Sequence, residues 1–276
     1  MIFSDIRIDI IRHNIKPIVD LIEIVRTITE APKESEEEVK KRLDFYKLNQ
    51  PESYEKILRY YSPKYTLKNV KKFYQKLQDC RHKLEAVWYS LFLIKNEILN
   101  YENINIEDIK KTPMIWMCSK VEFKNDILIF ETESFLFQIK SSLDILIQSL
   151  KYVYIWLEDK NKDYDNEDFK IYNNNNSIIF KLNKWWHKEL ANYFDDEYSL
   201  WIKDLIKLRN TITHRSWLEN FFCFMFYNET NILEKPRMPS WEFLDKYCEK
   251  IYENLLKLYE TIFKDFLLIE LKDKIN

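Results

Sequence analysis

The chain has 276 residues, a formal net charge of −2 and no glycine. Phosphate-binding loops, dinucleotide fingerprints and nucleophile elbows all need glycine where the backbone turns sharply or approaches a ligand, so the composition excludes these sites. It also disfavours architectures rich in tight β-hairpins. The slightly acidic balance argues against a chain that binds nucleic acid over its whole surface, so any such contact must be local.

The cysteine pattern and the hydrophobic content indicate an intracellular globular protein. The sequence is 46% hydrophobic, which is enough for a sizeable core. Its four cysteines have no paired spacing and are predicted to be free thiols; no metal-ligand cluster is visible, and we expect neither a metal nor a cofactor. The first residues carry charges every few positions, unlike a signal peptide, and the longest apolar runs are too short to span a membrane. We therefore expect a cytoplasmic protein with no membrane partner.

The first part of the chain is predicted to be helical. Apolar residues at helical spacing follow Pro17, and the run ESEEEVKKR at 34–42 is typical of a solvated helix start. A long helix is predicted over 66–100, with an apolar stripe formed by Leu67, Val70, Phe73, Leu77, Leu84, Trp88 and Leu91. We assign 1–110 to an N-terminal helical region of unknown role.

The next residues separate this region from a second helical set. Residues 111–126 are predicted to form a linker or short strands, and the sequence PMIWMCS followed by DILIF leaves both alternatives open. A helix is predicted over 131–157, and the Asn-rich tract 159–177 is predicted to be a loop. The buried face of this helix is predicted to consist of Phe135, Ile139, Leu143, Leu146, Leu150 and Val153.

Three more helices are predicted in the last third of the chain. A short helix over 178–194 precedes one over 196–215, for which Asp195 and Asp196 offer an N-cap. The apolar face of this second helix is predicted to consist of Leu200, Trp201, Leu205, Leu208 and Ile212. Residues 217–228 are aromatic and fit either a strand or a helix. Ser240 can cap a final helix over 241–272. The fold class predicted for 127–276 is all-α, an antiparallel bundle of about four helices. The final seam is predicted to contain Leu244, Cys248, Ile251, Leu255, Leu258 and Ile262.

The stretch LRNTITHRS at 208–216 combines residue types that suit phosphate chemistry. Histidine can exchange a proton near neutral pH, and arginine presents a fixed fork of donors to phosphate oxygens. Asn210 and His214 are four residues apart and share a helix face, whereas Arg209 and His214 are about 140° apart. Bringing Arg209 to His214 requires the long arginine arm, a distorted helix end or a second copy of the site.

The sequence Arg209-Asn210 followed by His214 resembles the motif of the HEPN superfamily, an arginine with a polar neighbour and a histidine four to six residues later. HEPN domains are helical bundles, often dimeric, and many are metal-independent ribonucleases of toxin and antiphage systems. The resemblance covers about 127–276 and implies an HEPN-like bundle. It also implies a supporting contribution from an earlier helix, for which Ser142 and Asp144 are the candidates.

The resemblance implies that His214 is a general acid or base and that Arg209 stabilises the phosphate while the RNA 2′-hydroxyl attacks it. Asn210 completes the catalytic set by orienting the imidazole or contacting the phosphate. This helix also carries three basic residues, Lys203, Lys207 and Arg215, and their positive field is opposed only by Asp204. We predict that these three residues contact RNA. Expected partners are RNA, a second copy of the chain and an antitoxin or other regulator.

Two other functions fit the same residues. The acidic overall balance and the long aromatic helices also suit a non-catalytic HEPN-like module that binds nucleotide, RNA or a partner protein. A purely structural oligomer built on the seam of the last helix is a further alternative. In both of these, Arg209 and His214 would simply be basic residues that favour a helix C-terminus.

Overall fold

The computed structural model describes residues 66–103, 110–111, 120–157, 169–171, 177–184, 187–214, 223–230 and 232–267. The predictions made for 1–65, for PMIWMCS at 113–119, for most of the loop 159–177, for 217–222 and for the last helix beyond 267 lie outside these residues. The described chain is mostly helical. Its helices are α1 Thr66–Glu102, α2 Asp126–Leu157, α3 Ile178–Lys184, α4 Lys188–Glu197, α5 Lys203–His214 and α6 Leu244–Glu260. Two π-helical segments, Tyr198–Ile202 and Thr261–Leu267, precede α5 and follow α6.

The predominantly helical fold agrees with the coarse all-α prediction, and a small three-stranded antiparallel sheet is added to the helices. The strands are β1 Lys120–Lys124, β2 Cys223–Tyr227 and β3 Ile232–Glu234, in the order β1-β2-β3. Phe226 pairs with Val121 on one side and with Leu233 on the other, and its side chain is fully buried. The run CFMFY alternates buried Phe224 and Phe226 with less buried neighbours, which is the two-residue period of a strand with one covered face.

Two of the open alternatives are thereby resolved. KVEFK at 120–124 is a strand, whereas DILIF belongs to the first turns of α2. The aromatic segment 217–228 contains β2, so its described part is a strand rather than a helix.

The chain divides into two compact units, each assembled from distant segments of sequence. One contains Met1–Arg81, Leu143–Asn192 and Glu260–Asn276, and the other contains His82–Ser142 and Tyr193–Tyr259. Long helices, α1 and α2 among them, contribute to both units. The predicted division into 1–110, 111–126 and 127–276 follows sequence order and stays a prediction.

In the second unit, α1 and α2 run antiparallel. Three side-chain hydrogen bonds join α1 to α2 or to Asn125, the residue just before α2, and the residue numbers rise along α1 while they fall on the other side. Lys83 Nζ donates to Gln138 Oε1 at 3.0 Å, the hydroxyls of Ser90 and Ser134 are 3.3 Å apart, and Asn125 Nδ2 donates to Glu97 Oε2 at 3.2 Å. Tyr101 at the end of α1 stacks on Phe224, with ring centroids 4.0 Å apart, and so links the helix pair to the sheet.

The predicted apolar stripes are largely confirmed. Burial places nearly all of their described side chains in the core. The confirmed positions are Phe73, Leu77, Leu84 and Leu91 on α1, Phe135, Ile139, Leu143, Leu146 and Leu150 on α2, and the complete seam from Leu244 to Ile262. Trp88 is only half-buried, and the side chains of Leu67, Val70 and Val153 lie outside those that the structure describes. Cys80 and Cys248 are buried and form no disulfide bond, as predicted for two of the four cysteines.

Several predicted helix boundaries are wrong. Asp195 and Asp196 do not cap a helix; they lie exposed inside α4, which begins at Lys188. The predicted helix 178–194 is two helices, α3 and α4. Ser240 does not cap the last helix either, because a turn with Trp241 at φ 65° intervenes and α6 starts at Leu244. Acidic and hydroxyl residues are common both at caps and inside helices, so their presence alone does not locate the first turn.

Candidate functional site on the helix Lys203–His214

The helix that carries the motif is anchored by its apolar face. Leu205 is fully buried, Ile212 is 7% exposed and Ile202, just before the helix, is fully buried. In the π-helical segment, Trp201 Nε1 donates a hydrogen bond to Glu197, which ties this segment to the end of α4. Asp204 lies in the first turn of α5, where a carboxylate interacts favourably with the helix dipole.

Leu200 is a correction to the predicted apolar face. It was expected to be buried with Leu205, but 74% of its surface is exposed. Five residues separate the two positions, which is about 140° on a regular helix, so Leu200 lies far from the line through the buried residues. The π-helical segment that contains it further breaks the register of the following α-helix.

A polar, exposed face runs along the opposite side of α5. Lys203, Lys207 and Asn210 are all exposed. Spacings of four and three residues bring these positions within about 60° of one another around the axis, and position 214 continues the same line. This helix therefore presents two ammonium groups and an amide in a row that ends at His214.

Arg209 lies about 120° away from this face but its side chain reaches toward it. The guanidinium carbon lies 4.3 Å from the centroid of the Phe137 ring, which belongs to α2. Its Nη1 donates a hydrogen bond of 3.1 Å to Asn210 Oδ1. The long arginine side chain thus reaches Asn210 on the polar face, and how Arg209 meets His214 stays a prediction.

The structure gives Ser142 a partner in the core. Ser142 is fully buried, and its hydroxyl lies 2.8 Å from the hydroxyl of Tyr259. Tyr259 Oη also lies 2.8 Å from the carbonyl oxygen of Ser142, to which it can donate. This pair joins α2 to α6, and a supporting role for Ser142 beside Arg209 stays a prediction.

Asp144 and Ser142 lie on different faces of α2. Two residues correspond to about 200° around a helix, so Ser142 and Asp144 point to opposite sides of α2. Asp144 is half-buried and is assigned to the first compact unit, whereas Ser142 and Arg209 belong to the second. The structure thus groups Arg209 with Asn210 and Phe137, and the contribution of Asp144 remains a prediction.

Of the predicted site residues, His214 is described in its backbone alone and Arg215 is not among the described residues. His214 is the last residue of α5, and its helix position follows from the backbone. The predicted RNA contact at Arg215 and the predicted catalytic role of the His214 imidazole are therefore untested.

Phe137 is the site residue that sequence reasoning missed. It is 41% exposed and lies about 200° around α2 from the buried Phe135. An aromatic residue on the polar side of an amphipathic helix is the signal that could have drawn attention to it. Stacking an arginine on a ring contributes about 0.5–1 kcal/mol at exposed sites and fixes the plane of the guanidinium.

Within the residues that the structure describes, no group of three or more His, Cys, Asp or Glu side chains could hold a metal ion. No helix in this part of the chain is both long enough and apolar enough to cross a membrane.

Comparison with known protein families, curated proteins and solved structures gives no match to this chain. The resemblance to HEPN domains therefore stands on Arg209, Asn210 and His214. Its implications for fold and activity are taken up as proposals.

Proposed function

We propose that the protein is a metal-independent endoribonuclease of HEPN type that acts as a toxin or antiphage effector in the cytoplasm. The observation that carries this proposal is the hydrogen bond from Arg209 to Asn210, at the edge of a lysine-lined face that ends at His214. The proposal combines this positively charged fork with a histidine on the same helix, the residue type best suited to proton transfer at neutral pH.

In the proposed reaction, His214 removes the proton from a 2′-hydroxyl of RNA, and the resulting oxygen attacks the adjacent phosphorus. The bond to the 5′-oxygen of the next nucleotide breaks, and that oxygen takes up a proton from water as it leaves. The products are a 2′,3′-cyclic phosphate and a 5′-hydroxyl. Arg209 donates hydrogen bonds to the phosphate oxygens as their charge develops. Asn210 holds the guanidinium in place, and Lys203 and Lys207 bind neighbouring phosphates.

The experiment is cleavage of end-labelled single-stranded RNA by the purified full chain in the presence of EDTA, with DNA of the same sequence beside it. His214→Ala is expected to lower the rate by about 100-fold or more, and Arg209→Ala by a similar factor. His82→Ala is the matched control, because His82 is exposed on α1. Circular dichroism checks that each variant is folded.

Three outcomes would contradict the enzymatic proposal in different ways. Cleavage that His214→Ala leaves intact would remove the assigned base, and cleavage of DNA at the same rate would remove the 2′-hydroxyl as nucleophile. Loss of cleavage in EDTA would overturn the metal-free mechanism.

A non-catalytic binding module is the second candidate, favoured by the exposure of Lys203 and Lys207. It predicts RNA binding without cleavage. In that case Lys203→Gln and Lys207→Gln weaken binding and His214→Ala does not. Lys188→Gln, an exposed lysine on α4, is the control for a change of net charge.

We also propose a homodimer in which the sites of two copies face one cleft. Arg209 and position 214 of one copy point about 140° apart, so a second copy can supply the missing partner. Sedimentation of the full chain at micromolar concentration tests this, and a monomer contradicts it. Mixing Arg209→Ala with His214→Ala chains is a sharper test, since a shared cleft predicts that mixed dimers recover activity.

A further inference from the structure

Phe137 presents an aromatic ring to solvent beside the motif helix. It is 41% exposed, and it keeps this exposure with the guanidinium of Arg209 over its ring, 4.3 Å from the ring centroid. Both residues belong to the second compact unit. Proteins stack unpaired RNA bases on aromatic rings and on guanidinium planes. The contact between α2 and α5 therefore places both kinds of stacking surface side by side.

Asn210 supplies a hydrogen-bonding group next to this pair. Its side chain is exposed, and its Oδ1 accepts a hydrogen bond of 3.1 Å from Arg209 Nη1. Because a guanidinium can only donate, this bond fixes which end of the amide faces Arg209, and Nδ2 is turned away from it. An amide held in one orientation is suited to pairing with the polar edge of a base.

The lysines on the same helix indicate where a sugar-phosphate backbone would lie. Lys203 and Lys207 are exposed and lie about 6 Å apart along the axis of α5, with Asn210 about 4.5 Å further on. Proteins that bind single-stranded nucleic acid combine cations for the phosphates with aromatic rings for the bases. A duplex does not fit this arrangement, because its bases are stacked on one another and are not available to a ring.

The ring itself fits a base rather than a phosphate. A phosphate placed against aromatic carbon loses hydration without gaining a hydrogen bond there, which is unfavourable. A base has an apolar face for the ring and a polar edge for an amide. Stacking of one base on an aromatic side chain typically changes affinity by about tenfold.

We propose that Phe137, together with Arg209 and Asn210, binds one unpaired base of RNA next to the phosphate that is cleaved. This inference rests on the proposed function, because it takes RNA as the substrate, and it adds that the RNA is single-stranded at the site. Phe137 supplies the stacking surface, and Asn210 contacts the polar edge of the base. Lys203 and Lys207 hold the phosphates of the adjoining nucleotides.

The test is a binding measurement that does not depend on cleavage. Fluorescence anisotropy measures the affinity of the full chain carrying His214→Ala for a labelled single-stranded RNA of about six nucleotides. An abasic strand with the same sugar-phosphate backbone is measured beside it. The RNA is expected to bind about tenfold more tightly than the abasic strand. Equal affinities would overturn the proposal, because the phosphates alone would then account for binding.

Variants at Phe137 separate base binding from the positioning of Arg209. In the same background, Phe137→Leu is expected to weaken binding of the RNA by about tenfold and to change binding of the abasic strand far less. Phe137→Tyr retains the ring and should retain the affinity. Phe130→Leu is the control, since Phe130 is another exposed ring on α2. Equal losses for the RNA and the abasic strand in Phe137→Leu would overturn the proposal, as would an equal loss in Phe130→Leu.

A duplex and the assembly state distinguish the remaining explanations. Phe137→Leu should leave the affinity for a duplex of the same sequence unchanged, and a tenfold loss there would contradict base stacking. If sedimentation shows that Phe137→Leu converts a dimer into a monomer while base dependence persists unchanged, the ring is a contact between copies and the proposal is wrong. Base-dependent binding without cleavage by the natural chain would contradict the proposed nuclease and support the base site, so the two failures are distinguishable.

Discussion

The guanidinium of Arg209 stacks on the ring of Phe137, with 4.3 Å between the guanidinium carbon and the ring centroid. This contact ties the motif helix to α2 and turns the arginine toward Asn210. The ring itself remains partly exposed. Phe137, which lies outside the motif, therefore sets the direction of Arg209, the most strongly charged residue of the motif.

The first prediction concerns this stack. Phe137→Leu keeps an apolar side chain but removes the ring, so Arg209 loses its support and RNA cleavage should fall by about tenfold or more. Phe137→Tyr retains the ring and should keep the activity. Phe130→Leu is the control, because Phe130 is an exposed aromatic residue on the same helix. Equal activity of the leucine variants at 137 and 130 would show that the stack does not position Arg209.

The second prediction concerns the hydroxyl pair that joins α2 to α6. Tyr259→Phe leaves the buried hydroxyl of Ser142 without its partner and should lower the free energy of unfolding by about 1–3 kcal/mol. Ser142→Ala alone should have a similar effect. The double variant should lose clearly less than the sum of the two, because both single changes break one interaction.

Urea unfolding measures all three variants, with Tyr89→Phe as the control at an exposed tyrosine. Additive losses would show that Ser142 and Tyr259 do not depend on each other. If Ser142→Ala instead lowered cleavage with no loss of stability, the residue would belong to the site, as the sequence predicts.

The third prediction compares two leucines close together in sequence. Leu205→Ala should lower the free energy of unfolding by about 2–5 kcal/mol, since the side chain is fully buried. Leu200→Ala should change it by less than about 0.5 kcal/mol, since the side chain is mostly exposed. Chemical denaturation decides the matter. A large loss of the free energy of unfolding in Leu200→Ala would show that Leu200 belongs to the buried apolar face.

The fourth prediction is a dependence of stability on pH. Hydrogen bonds from Lys246 and Lys95 lower the pKa of the Glu249 carboxyl below its ordinary value. A carboxylate whose pKa is depressed in the folded state stabilises the fold above the unfolded-state pKa of ~4.3, and this contribution disappears as the pH falls through the lower folded-state pKa.

Glu249→Gln should therefore be less stable than the natural chain at pH 7, by about 0.5–1 kcal/mol for a partly exposed ion pair. The difference should vanish at acidic pH. Glu253→Gln, exposed on the same helix, is the control. Urea titrations at a series of pH values measure the difference, and a gap that stays constant from pH 7 to the acidic end would contradict the assignment.

The sequence predicted the helical core well, because burial on a helix repeats every three or four residues. The seam from Leu244 to Ile262 shows this, since each of its predicted positions is buried. The local pattern alone encodes which face of such a helix is covered.

The sheet could be anticipated only in part. Its central pair joins Val121 to Phe226, which are about a hundred residues apart, and no local period records such a pairing. Helix starts were also missed, because an acidic pair such as Asp195 and Asp196 suits a first turn and an exposed helix interior equally well.

For the candidate site, the sequence supplied the motif residues and their angular separation. It could not supply the contact between Arg209 and Asn210, because a long side chain can take many directions from one backbone position. Nor could it supply Phe137, whose relation to Arg209 depends on how α2 and α5 pack.

The turn before the last helix shows how a chain without glycine manages a conformation that usually depends on it. Trp241 has a φ of 65°, in the left-handed region, which costs a residue with a side chain about 1–2 kcal/mol. Arg237 offsets this strain, because its guanidinium donates to the carbonyl oxygen of Trp241 at 2.8 Å and stacks over Phe243. Substitution of Arg237 would therefore leave the strain at Trp241 uncompensated. A lineage could lose this arginine with little harm once glycine had arisen at 241, whereas the reverse order of changes would pass through a weakened protein.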